Sequence, residues 1–207
     1  MGRAQIQKKD VFIDMTPMSD VMVLLLTFFM LTSTFVKKEP VKVVTPASVS
    51  EIKIPQKDVL SILVDKTGKV FMSLDKQTDL EATLASMSDL YQTSFDGKQT
   101  LRFSKDPVFG VPMKQMGQYL NVSSAGDRDK LLKSAGVPLD SVNGQHSEFE
   151  NWVIYAKQNN PDLKIAIKAD AATPYSIIKK VMNELQDIRE NRYYLITSLK
   201  KLQEDKK

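Results

Sequence analysis

From Val21 to Val36 the chain runs VMVLLLTFFMLTSTFV without a charged residue, whereas lysines and acids recur every few positions after Lys37. This unevenness constrains the fold more than any other feature, because it asks for two solvents. About 16 uncharged residues make roughly 24 Å of helix at 1.5 Å per residue, slightly short of a hydrocarbon core near 30 Å. Extending the helix back through Pro17 to Asp20 reaches spanning length and places one carboxyl at or inside the membrane edge. The segment reads as a single N-terminal transmembrane helix over residues 16–36, preceded by a short segment, 1–15.

Two other readings fit less well. Arg3, Lys8 and Lys9 precede the apolar run as in a secretory signal, but Asp10, Asp14 and Asp20 lie between, and no small-residue cleavage site comes before Lys37. A buried helix of a soluble domain would need a neighbour to cover it, and the polar stretch that follows supplies none. Charge does not orient the span, because Lys37, Lys38 and Lys42 balance the basic N-terminal residues. Translocation of the long C-terminal part is an expectation on the ground that large domains cross with little regard to charge.

Asp20 has an ordinary explanation. Thr16 reads as an N-cap, Pro17 as the helix start, and an acid in the first turn suits the helix dipole. The pattern beyond the first turn asks for more. At 100° per residue, Thr16, Thr27 and Thr34 fall within about 40° of Asp20, forming one polar edge on an apolar helix. Threonine can also satisfy itself on its own helix, which would leave the edge neutral. The seven-residue spacing of Asp20, Thr27 and Thr34 favours an edge that keeps facing one neighbour, where helices meet or water enters. An ionised carboxylate near the bilayer centre costs about 2.5–3.5 kcal/mol, and desolvation favours its protonated form. Moving one charge through 100 mV releases about 2.3 kcal/mol, so a carboxyl that alternates between two faces can harness a proton gradient. A single helix cannot line such a route, which makes the functional unit an assembly.

The run Asp14-Met15-Thr16-Pro17-Met18-Ser19-Asp20-Val21-Met22 before an apolar block resembles the signature of the ExbD/TolR family. The segment Val41 to Ser48, VKVVTPAS, is similar to that family's extended stretch, and Lys168-Ala169-Asp170 followed by Pro174-Tyr175 and IIKKVMNELQ is similar to its last strand and helix. The resemblance implies a single-pass subunit of a proton-driven motor in the cell inner membrane, with the N-terminus cytoplasmic and the C-terminal domain periplasmic. It implies Asp20 as proton carrier, an ExbB-like multi-helix ring and a TonB-like transducer as partners, self-association as a dimer, and no enzymatic activity or cofactor. A TolR-like role in envelope maintenance is the near alternative, and a non-conducting membrane-anchored scaffold is the alternative of another class. Asp14 stands where relatives commonly carry Asn, and Ser19 where a large apolar residue is usual.

The remainder reads as an α+β domain over residues 58–200, with helices packed on one face of a short mixed β-sheet. Residues 37–57 form an extended linker with strand potential, in which Val41, Val43 and Val44 are candidates for a partner-binding strand. Val59–Val64 and Val70–Leu74 flank a turn at Gly68, predicting a hairpin. Leu80, Leu84, Met87 and Tyr91 predict a helix. Residues of about 92–147 look like an insertion, with turn signals at Asp96-Gly97 and Asp106-Pro107 and short helices near Met113 to Leu120 and Asp127 to Ser134. Ser147 and Glu150 form a capping-box pattern, so a helix is expected from Glu148 to Asn159. Leu163, Ile165 and Ile167 alternate as a strand, Pro174 opens a helix to about Arg189, Tyr193 to Ser198 give the last strand, and 201–207 form a charged tail.

Other chemistries find little support. The chain has no cysteine, so thiol nucleophiles and disulfides are excluded. A net charge of +4 with lysines scattered among acids lacks the aromatic interleaving of a nucleic-acid surface. His146 is the single histidine and builds neither a triad nor a metal site alone. Asp162 and Asp170 flank a strand as turn caps, and Trp152 reads as core.

Overall fold

The structure, a computed structural model, describes residues 14–33, 41, 43–45, 47–48, 57–106, 108–141, 146–196 and 198–199. The chain divides into two compact units, Met1–Lys38 and Glu39–Lys207.

The first unit holds helix α1, Thr16–Thr32, whose 17 residues make about 25 Å of helix. No residue of α1 is buried. Among the described residues, no helix is long and apolar enough to cross a membrane. Of the helix expected over 16–36, α1 supplies Thr16–Thr32; Ser33 follows with an extended ψ of 91° and an N–H that still bonds the Phe29 carbonyl, and 34–36 lie outside the described residues. Hydroxyl side chains at this end compete for the backbone. The Thr32 Oγ1 donates to the Phe28 carbonyl at 2.8 Å.

In the second unit a two-residue strand, β1 (Ala47–Ser48), precedes the hairpin of β2 (Val59–Val64) and β3 (Val70–Leu74). Helices α2 (Gln77–Leu90), α3 (Gly97–Lys105), α4 (Met113–Asn121), α5 (Ala125–Ser134) and α6 (Glu148–Asn159) follow. Strand β4 (Lys164–Ala169), helix α7 (Tyr175–Asp187) and strands β5 (Tyr193–Leu195) and β6 (Ser198–Leu199) complete it. The main sheet has the order β3-β2-β4-β5, with β2 antiparallel to β3 and parallel to β4, and β4 parallel to β5. It is therefore mixed, and the domain is α+β. A small parallel pair, β1 with β6, stands apart from it.

Register explains how this sheet is buried. Leu60, Ile62 and Val64 of β2 sit opposite Leu74, Met72 and Val70 of β3, and Leu60 and Ile62 sit opposite Ile165 and Ile167 of β4, and all of these residues are buried. Burying an aliphatic side chain of this size stabilises by about 1.5–3 kcal/mol. The other face alternates to Ser61, Ser73, Lys164 and Lys168, with a smaller buried patch of Leu63, Phe71 and Ala166. Helices on one face is thus an incomplete description, since the second face is also covered where Phe71 lies. There the chain at Gly110 approaches so closely that a Cβ would stand 2.4 Å from the Phe71 ring. Gly68 serves the hairpin turn with φ of +83°, a conformation open to glycine without steric penalty.

The stretch expected as an insertion belongs to the core. Phe103 of α3 and Phe109 pack on Trp152 of α6, with ring centroids 6.1 and 4.7 Å away. Helix α3 is not among the expected helices, because Asp96-Gly97 has the composition of a turn. Asp96 is instead the N-cap of a capping box in which Gln99 Oε1 accepts the Asp96 N–H at 2.8 Å. The expected helices of the insertion are α4 and α5. Met72 and Phe109 exchange backbone hydrogen bonds of 2.7 and 2.8 Å, and the Val137 N–H reaches the Val70 carbonyl at 2.9 Å. The insertion therefore occupies the outer edge of β3, an edge that an unoccupied sheet would offer to another strand.

Candidate functional site

Helix α1 is one residue longer at its start than Thr16 as N-cap and Pro17 as helix start would give. Met15 occupies the cap position, and Asp14 supplies the capping oxygen, accepting from the Thr16 backbone N–H at 3.0 Å and from the Thr16 hydroxyl. Pro17 falls in the first turn, where its missing N–H leaves nothing unsatisfied.

One turn on, Asp20 is the only ionisable side chain in the helix sequence TPMSDVMVLLLTFFMLT. It is exposed, and among the described residues no group donates to its carboxylate. The Thr27 hydroxyl is turned onto its own helix, donating to the Leu24 carbonyl at 2.9 Å. Thr16 is engaged by Asp14. Thr34, the last member of the expected polar edge, lies outside the described residues. Of the described members of that edge, Asp20 alone presents an uncommitted polar group, on a helix whose neighbouring apolar side chains Met18, Val21 and Leu24 are exposed.

The candidate partner strand is engaged within its own domain. Val41 is buried in the core and Val43 packs against it, while Val44 is 71% exposed. The Val44 N–H donates to Asp170 Oδ2 at 3.0 Å and its carbonyl accepts from the Ala171 N–H at 2.8 Å. Asp170 thus clamps the linker to the turn after β4. The backbone N–H groups of Ala172 and then Val44 hold its carboxyl below the usual carboxylate range. This develops the reading of Asp170 as a turn cap. The long-range half of the clamp has no local sequence signal, since the bonded residues are 126 apart.

His146 precedes α6, with Nδ1 2.9 Å from Glu150 Oε2. Glu150 also accepts the Ser147 N–H at 2.9 Å and completes the expected capping box through the Ser147 hydroxyl. That hydroxyl donates to Glu184 of α7, tying the two helices together. Trp152 is buried as expected. Among the described residues no group of histidines and acids is arranged to hold a metal ion.

A family model described as biopolymer transport protein ExbD/TolR matches residues 7–200 of the chain. A curated relative, "Biopolymer transport protein exbD2" of Vibrio cholerae serotype O1 (strain ATCC 39315 / El Tor Inaba N16961), is 27% identical over 117 residues, covering 56% of this chain and 85% of that protein. No solved structure matches.

Proposed function

Because the chain belongs to the ExbD/TolR family of biopolymer transport proteins, we propose that it is the ExbD-like subunit of a proton-driven motor in the cell inner membrane. In this reading α1 crosses the bilayer once, with the N-terminus cytoplasmic, inside a ring of ExbB-like helices. Asp20 takes up a proton from one side and releases it to the other. The periplasmic domain passes the resulting movement to a TonB-type transducer that serves outer-membrane transport. The chain acts as a dimer, and the partner meets the linker at Val41, Val43 and Val44 through the exposed Val44 side chain, the Val44 backbone being bonded within the domain.

One observation carries the proposal: a single carboxyl, without a partner among the described residues, on a helix whose other side chains are uncharged. In lipid a bare charge is costly, so a carboxyl in this position needs partner helices that admit water or a counter-charge. Proton exchange is then coupled to which face of the ring Asp20 meets. The test is Asp20→Asn in reconstituted complexes. Loss of proton-dependent activity with assembly intact supports the motor.

The bond from Thr27 back to Leu24 favours a second reading, in which the polar edge is neutral and α1 only tethers the domain. Normal activity of the Asn variant would leave that reading standing. A TolR-like role in envelope maintenance uses the same proton step with another client, and exchange of the partner transducer distinguishes the two.

A further inference from the structure

Beyond the proton step, the way the linker is fastened to its own domain singles out Asp170. The described residues of the linker are held at three points by three different means. Val41 is 4% exposed among core side chains. Val44 is held through its backbone by Asp170 and Ala171, and β1 pairs with β6 over only two residues, apart from the main sheet. A pair that short has little stability of its own. Segments fastened by few contacts open at low free energy while the body of a domain stays closed.

Asp170 is placed to govern that opening. It follows β4, which lies between β2 and β5 in the interior of the sheet. Its main chain is fixed without help from its side chain, the N–H bonding the Val64 carbonyl at 3.0 Å and the carbonyl accepting the Thr173 N–H at 3.0 Å. The carboxylate therefore serves two other segments. Oδ1 accepts the Ala172 N–H at 2.9 Å, two residues on, and Oδ2 accepts the Val44 N–H at 3.0 Å, 126 residues away. Both partners are donors, so both oxygens must accept, which a carboxylate does and an amide cannot. Hydrogen bonds to an ionised carboxylate are about twice as strong as neutral ones, so this contact weighs heavily in a segment with so few. While it holds, the proposed partner surface is one side chain deep: Val41 is buried, Val43 packs on the core, and both backbone groups of Val44 are taken.

We propose that the linker is a strap that opens while the sheet stays folded, that Asp170 is its latch, and that opening presents Val41, Val43 and Val44 to the dimer partner. The last step rests on the reading of these valines as the partner strand; the latch does not.

Three consecutive amides separate the outcomes. The amide of residue 170 bonds the sheet, that of Ala171 bonds the Val44 carbonyl of the strap, and that of Ala172 bonds the Asp170 side chain within the turn. Hydrogen exchange of the full chain in detergent micelles, read by nuclear magnetic resonance, should show Ala171 less protected than residue 170 by about tenfold or more. Asp170→Asn keeps one acceptor oxygen, which the nearby Ala172 N–H captures by closing the shorter loop, and so lets go of Val44. Protection at Ala171 should then fall about tenfold, the loss of one bond to a charged group, with residue 170 and Ile62 unchanged. Val44→Pro removes the donor from the other side and should lower Ala171 to the same extent while Ala172 keeps its protection. Ala171 as protected as residue 170 in the parent, a fall shared by Ile62 in Asp170→Asn, or Ala171 unchanged in both variants overturns the latch. Sedimentation of Asp170→Asn in detergent reads the partner step, for which about tenfold stronger self-association is expected. An opened strap without stronger self-association overturns that step together with the partner-strand reading, and supports the latch alone.

Discussion

Helix α1 and the domain beyond it use the same apolar side chains in opposite ways. In α1, Leu24, Leu25, Leu26, Phe28 and Phe29 are all more than half exposed. In the domain, Leu60, Ile62, Phe71, Phe103 and Trp152 are at most 1% exposed. The domain earns its stability from water by covering its apolar surface. Helix α1 covers none, so its surface fits only a medium or a partner that is itself apolar, and a polar residue there stands out. The difference teaches where substitution should be read: in α1 as altered function at unchanged domain stability, and in the core as altered stability.

The sharpest way to break that separation is Asp20→Asn. Proton-driven activity should fall by about 100-fold or more, as for removal of a group that transfers protons, while the thermal transition of the domain stays where it is. A shifted transition would show that Asp20 serves the fold. Next in size is Trp152→Ala, which removes the ring on which Phe103 and Phe109 pack. A loss of about 3–5 kcal/mol is expected in chemical denaturation, with the circular dichroism of an isolated α1 peptide in micelles as the unaffected reference. Gly110→Ala should cost about 1–3 kcal/mol, because the new methyl meets the buried Phe71 ring and loosens the backbone bridge between Phe109 and Met72. Faster hydrogen exchange at the Phe109 and Val137 amides would be its local signature.

The smallest effect is a pH dependence. Burial, acting first, pushes the Glu148 carboxyl above its ordinary value, against the Met113 N–H, the Trp152 ring N–H and the charge of Lys114. A raised carboxyl binds its proton more tightly in the folded state. Its contribution to stability is therefore complete below the ordinary carboxylate range and is lost as pH rises through the folded value. Glu148→Gln should flatten the dependence of unfolding free energy on pH just above that range, and an unchanged slope would count against the assignment. Glu184, raised first by desolvation and also by Glu150, adds a slope of the same sign.

Legibility followed the range of the interactions. The hairpin around Gly68, the capping box of Ser147 and Glu150, and the helix after Pro174 lie where the sequence places them, because each is set by residues within a few positions. Helix α3 escaped because Asp96-Gly97 serves equally as a turn and as a helix start, and Gln99 decides between them only once its side chain bonds back. Asp20 was legible as a lone acid beside an apolar run. That Thr27 bonds its own helix was not, since a hydroxyl's choice of acceptor leaves no trace in spacing.

By itself the sequence determined that the chain has two regions suited to different surroundings, and it singled out one carboxyl at their most apolar part, because hydropathy and helical period are local properties. Only the tertiary structure decided that the stretch from 92 to 147 belongs to the core, that it occupies the β3 edge, and that Asp170 holds the linker. Those outcomes join Trp152 to Phe103, Val44 to Asp170 and Glu148 to Met113 across long stretches of chain, and such pairings arise from packing, for which a linear pattern carries no signal.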